Sequence, residues 1–130
     1  MVKRMELDVR KTMVVHEDVR GTIVDVLNGL VVRHVSSLWT RGGSVRGNHY
    51  HWKKDQWLYM VQGEALALLR DTRTGAIWEG RIVEGDVLHI PRLVTHAFRF
   101  PVDSHAIEMA SEPFDPDDLI RDDIMSGKAT

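Results

Sequence analysis

Cysteine is absent from this chain of 130 residues. Disulfide bonds and thiol chemistry are therefore excluded, and a reducing compartment is permitted. Long hydrophobic runs are missing as well. The apolar stretches fall far short of the roughly 20 residues that cross a bilayer as a helix, and Met1 to Asp8 lacks the apolar core of a signal peptide. Charge of one sign is scarce, since 17 Lys and Arg face 19 Asp and Glu for a net charge of -2. That balance gives no basis for a nucleic-acid or membrane partner. Helical periodicity is missing before residue 114. With 43% apolar and 28% charged residues, the expectation is one cytoplasmic globular domain over 1–130, long enough to bury its own core.

What is present is a succession of short apolar and β-branched segments cut by glycine, proline, asparagine and aspartate. Residues 22–27 form such a segment and end at the Asn28-Gly29 turn signal. Another runs from Leu30 to Trp39 and breaks at Arg41-Gly42-Gly43. Further strands are expected at 45–51, 55–62, 64–70, 76–83, 87–90, 96–100 and 105–110, with Asp71 to Gly75 as a hairpin loop. Residues 1–13 read as an N-terminal arm or edge strand. Asp115 can cap a helix over 115–124, with Pro116 in its first turn and Leu119, Ile120 and Ile124 as its buried stripe. Ser126 to Thr130 should fray. The pattern predicts an all-β sandwich or barrel with a short C-terminal helix.

The chemistry concentrates between Gly43 and Gly63. His49 and His51 sit two apart, which on a strand turns both imidazoles to one face. Gln56 opens the next apolar run. Downstream, Gly85, Pro91 and His96 bring a third histidine from a separate strand. Arg46 lies three residues before His49, and its planar fork suits a phosphate or carboxylate. His16, His34, His89 and His105 fit no motif and are expected to be structural. Lys53 and Lys54 read as a solvated turn, and the four tryptophans as core, interface or stacking residues.

Gly43, five residues, His49-x-His51, then Gln56, six residues and Gly63 resembles the first cupin motif. Gly85, five residues, Pro91 and then His96 resembles the second. The resemblance implies a single cupin (jelly-roll) barrel. Within the cupins, Arg46-Gly47-Asn48-His49-Tyr50-His51 with Gln56 is similar to the sugar-nucleotide group: dTDP-4-dehydrorhamnose 3,5-epimerases, dTDP-4-keto-6-deoxyglucose ketoisomerases and the cupin domain of capsule-polysaccharide enzymes. Asp18-Val19-Arg20-Gly21 and Phe114 to Asp122 resemble other parts of the same group. The likeness implies an isomerase or epimerase of a 4-keto-6-deoxy sugar on a nucleotide, working without a cofactor. His49 and His51 would be the base and its relay, and Arg20, Arg46, Gln56 and His96 would hold substrate.

The sequence also departs from those patterns. Gln56 stands where metal-binding cupins have glutamate, and Leu93 and Phe100 replace a later glycine and asparagine. The family enzymes use a tyrosine as acid or substrate contact, yet His34 to Trp39 contains none, and Tyr50 alternates away from His49 and His51. Two alternatives therefore stand. One is a metal cupin, with His49, His51, Gln56 and His96 around a divalent Zn, Ni, Mn, Fe or Cu ion. The other is a sugar-binding cupin with no catalysis. A homodimer is expected, built by exchange of an N-terminal strand carrying Met1, Met5, Leu7 and Val9.

Overall fold

Alternation along each strand decides which side chains turn inward. In β6 (Gln56–Gln62), Gln56, Leu58 and Met60 are buried while Trp57, Tyr59 and Val61 between them are less so. In β7 (Glu64–Asp71) the inward set is Ala65, Ala67 and Leu69. β10 (Val94–Phe100) is buried along nearly its whole length, because it runs between two neighbours and beneath others. Each large apolar side chain removed from water in this way contributes roughly 1.5–3 kcal/mol.

The computed structural model describes residues 3–126. Met1 and most of the expected frayed end, Gly127 to Thr130, lie outside the described residues. The remaining strands are β1 (Val9–Lys11), β2 (Met13–Asp18), β3 (Gly21–Asp25), β4 (His34–Thr40), β5 (Ser44–Tyr50), β8 (Ile77–Val83), β9 (Asp86–Ile90), β11 (Ser104–Ala110) and β12 (Ile120–Arg121). They form two antiparallel five-stranded sheets, ordered β1-β9-β6-β11-β4 and β12-β5-β10-β7-β8. The core lies between the sheets: Leu58, Met60, Leu88 and Ala106 from the first meet Leu69, Ile82, Phe98 and Phe100 from the second. β2 and β3 pair only with each other.

One expectation is corrected here. No helix forms over 115–124; among the described residues the fold is entirely β. The capping chemistry of Asp115 does appear, since its carboxylate accepts from Asp117 N at 2.9 Å and its carbonyl from Asp118 N at 3.0 Å. The chain then runs extended along the open edge of β5, pairing Ile120 with Tyr50 and Arg121 with His49. An isolated helix of about ten residues is marginal in water, whereas the edge of β5 offers unpaired backbone groups. Leu119 and Ile120 stay exposed as a result. In the single chain β1 pairs with β9, and Met5, Leu7 and Val9 pack on the core.

Candidate active site

The site begins with one extra residue. In the pairing of β5 with β10, His96 stands opposite His49 and Ala97 opposite Gly47, so Asn48 is bulged out of the ladder. Gly47 and Asn48 both take left-handed backbone angles, φ +95° and +60°. Gly47 has no alternative, since a Cβ there would lie 2.5 Å from the His96 carbonyl oxygen. The bulge changes the parity of the strand. Arg46 and His49 are three apart, yet both line the same cavity, which plain alternation forbids.

That cavity measures about 250 Å³ and lies between the sheets, walled by Arg46, His49, His96, Leu58, Phe98 and Glu108 among others. His51 is buried behind the wall at the end of β5. The three rings gather with centroids 4.7 Å apart for His49 and His96, 5.1 Å for His49 and His51, and 5.7 Å for His51 and His96. One ring nitrogen from each lies within 4.8 Å of the others. Burial is the main reason all three are neutral near pH 7. It lowers His49 to about 4, helped by His51, Lys54 and Arg121. It lowers His51 against the pull of the Asp118 carbonyl, and carries His96 well below the ordinary range.

Gln56 reaches the site through a partner. Its Nε2 donates to Glu108 Oε1 at 2.7 Å, and Glu108 lines the cavity wall carried by β11. Burial raises the Glu108 pKa, with Lys54 and Arg46 opposing the shift. Arg46 donates from Nε to Thr40 Oγ1 at 2.7 Å and from Nη2 to the Trp39 carbonyl at 3.1 Å, so its guanidinium is held against β4. Arg20 is elsewhere. It stands exposed on the β2–β3 turn, paired with Asp18, and does not line the cavity.

Two residues of the site escaped the sequence reading. Glu108 carried a signal: with Ala106 and Ala110 it forms the inward set of β11, and a charge between small residues on an inner face is unusual. Lys54 carried none. Expected in a solvated turn, it is buried, and its charge bears on His49, His51, His96 and Glu108. Leu93, where the motif has glycine, holds the glycine-like φ of +68°. Neither tyrosine lines the cavity.

Facing sheets with imidazoles from neighbouring strands turned into the space between them are the architecture of the cupins, and this chain has it. More narrowly, the chain belongs to the polysaccharide biosynthesis C-terminal domain family, which residues 16–119 match. A 3,4-ketoisomerase from Helicobacter canadensis superposes with a TM-score of 0.79 at 21% identity, covering 92% of each chain. The dTDP-4-dehydrorhamnose 3,5-epimerase of Sulfolobus tokodaii gives 0.74 at 20% identity, over 88% of this chain and 79% of that one. These likenesses establish the fold. The UDP-2-acetamido-2,6-beta-L-arabino-hexul-4-ose reductase of Pseudomonas aeruginosa is 34% identical over 64 residues, 49% of this chain. This match spans only 17% of that protein's length.

Proposed function

We propose that this chain isomerises or epimerises a 4-keto-6-deoxy sugar carried on a nucleotide, by proton transfer at the carbon beside the ketone. The observation that carries the reading is His49, a neutral imidazole facing a cavity that also holds a fixed arginine. His49 takes the proton. The electron pair moves into the carbonyl, and Arg46 offers positive charge to the resulting enolate. For isomerisation His49 returns the proton to the former carbonyl carbon, while the hydroxyl proton of the deprotonated carbon passes to the former carbonyl oxygen. For epimerisation water returns a proton to the deprotonated carbon from its opposite face, and His49 gives up its own to the hydroxide left behind. His51 stands behind His49 as the relay, Glu108 can accept a sugar hydroxyl across the cavity, and Gln56 orients Glu108. The names of the relatives support the substrate class, since they speak of a dTDP-linked dehydro sugar and a UDP-linked hexul-4-ose.

The test is deuterium exchange. With a dTDP- or UDP-linked 4-keto-6-deoxy sugar in heavy water, the chain should introduce deuterium beside the ketone, and His49→Asn should not. Tight binding with no exchange would make it a sugar-binding cupin instead.

A second reading is favoured by unpartnered donors. His49 Nδ1, His51 Nε2 and Gln56 Oε1 are buried without hydrogen bonds, and three neutral imidazoles fit a divalent ion such as zinc. His49, His51 and His96 would hold it, with Gln56 as a candidate fourth ligand, and it would supply Lewis acidity. The readings divide at His49, because a nitrogen bound to metal has no lone pair for a proton. Elemental analysis of protein purified without a histidine tag decides between them.

Two copies should associate through the β2–β3 hairpin. A lone two-stranded ribbon is marginal at best in water, and this one exposes Met13, Val14, Val15 and Ile23. β4 leaves an open sheet edge that a second copy can cover.

A further inference from the structure

His51 Nδ1 is hydrogen-bonded to the backbone carbonyl of Asp118. A carbonyl oxygen only accepts, so Nδ1 must carry the hydrogen. In a neutral ring the other nitrogen then has none. His51 Nε2 is buried with no partner, beside His49 and His96. Free neutral histidine prefers the opposite arrangement, with its hydrogen on Nε2. Some part of the fold must enforce the less favoured form.

The segment that does so is built with unusual thoroughness. The carboxylate of Asp118, itself 2% exposed, accepts from Trp52 N at 2.8 Å and Lys53 N at 2.9 Å, which anchors the turn whose carbonyl meets His51. Further along, the buried Asn48 accepts at Oδ1 from Ile124 N and Met125 N, both at 2.9 Å, and donates from Nδ2 to the Met125 carbonyl at 2.9 Å. Its own carbonyl accepts from Asp122 N at 2.9 Å. The Asp122 carboxylate accepts from Thr95 Oγ1 at 2.6 Å and Arg70 at 2.8 Å. Residues 115–126 are thereby tied to both strands that bear the histidines, β5 and β10.

We propose that residues 115–126 are a positioning strap that fixes His51 as its Nδ1–H tautomer and so turns a bare Nε2 lone pair into the histidine cluster. Asp118 and Asn48 are its positioning residues; neither lines the cavity. The bare Nε2 is what a relay from His49 requires, and equally what an ion would bind. The catalytic consequence rests on the isomerase reading; the tautomer itself does not.

Long-range proton–nitrogen correlation spectra of the imidazoles, recorded on the full chain after chelator treatment at neutral pH, read the tautomer directly. The wild type should show His51 with hydrogen on Nδ1 and none on Nε2. Asn48→Gly tolerates the left-handed backbone but removes three strap hydrogen bonds, and Asp118→Ala removes the turn's anchor. Each should move His51 toward the Nε2–H form, while Asp118→Asn, which keeps an acceptor, should retain Nδ1–H. Amide spectra show which variants remain folded, and the wild-type measurement needs no variant. Nε2–H in the wild type, or unchanged Nδ1–H in a folded Asp118→Ala chain with its strap amides released, overturns the proposal. Loss of deuterium exchange in the strap variants, in kcat with KM held, would add the catalytic link. If no keto sugar exchanges at all, the isomerase reading fails while the tautomer result still stands.

Discussion

His49 carries polar rather than packing responsibility, so its replacement should separate function from folding. We expect His49→Asn to change stability by less than about 1 kcal/mol while abolishing deuterium exchange, checked by urea unfolding beside the exchange assay. His51 differs, because its ring belongs to the Asp118 network, and its loss should be felt in both measurements. Glu108 invites a pH argument. Burial raises its folded pKa above the ordinary carboxylate value, so between those two values the folded chain holds a proton that the unfolded chain has lost. Its contribution to stability therefore declines as pH rises through that window. Glu108→Gln keeps the shape without the charge, so the variant should gain on the wild type in thermal denaturation as pH rises above the ordinary carboxylate value of 4.5. An unchanging difference between the two proteins would place Glu108 in contact with water.

Among the elements, the β5–β10 bulge matters most to the site. It alone lets Arg46 and His49 share a cavity. Gly47→Ala would place a methyl 2.5 Å from the His96 carbonyl at a φ of +95°. We expect a loss of roughly 2–4 kcal/mol and a displaced His49, seen as weaker exchange even at temperatures where the variant is folded. The short β12 shows how an element can be redirected by its surroundings. Asp115 and Pro116 begin as helix-start chemistry predicts and form a turn. Beyond that turn, the open edge of β5 sets the course of the chain.

At the scale of the whole molecule, acid should be its weakness. Three buried histidines have lowered pKa values, so below about pH 6.5 the unfolded chain takes up protons that the folded chain refuses. The histidine contribution to stability is then level above that pH and falls as pH drops toward 4. His49 alone accounts for about 3 kcal/mol of the fall, read as urea midpoints of chelator-treated protein at pH 7.5 and 4.5. Equal midpoints would mean the cluster is open to solvent. Association is the other expectation for the whole chain. Light scattering should give twice the 14.9 kDa chain mass, and Val14→Glu with Ile23→Glu should give a single copy. A wild-type monomer at tens of micromolar would sink that expectation.

Sequence by itself determined most of the strands, though not β2 or β12, together with the facing pair His49 and His51 and the arrival of His96 from a second strand, because side-chain period and turn residues are local properties. It also marked Arg46 and Gln56, though not the bulge that admits Arg46 to the cavity or the Glu108 contact that ties Gln56 to it. Only the tertiary structure decided the rest. Arg46 enters because a neighbouring strand forces a bulge at Gly47 and Asn48; Lys54 is buried because of what packs over it. Arg20 stays on an exposed turn in the single chain. Residues 115–126 run extended rather than helical because strand β5 had an edge to fill. These outcomes depend on partners far away in sequence, and local pattern holds no record of which partner will be there.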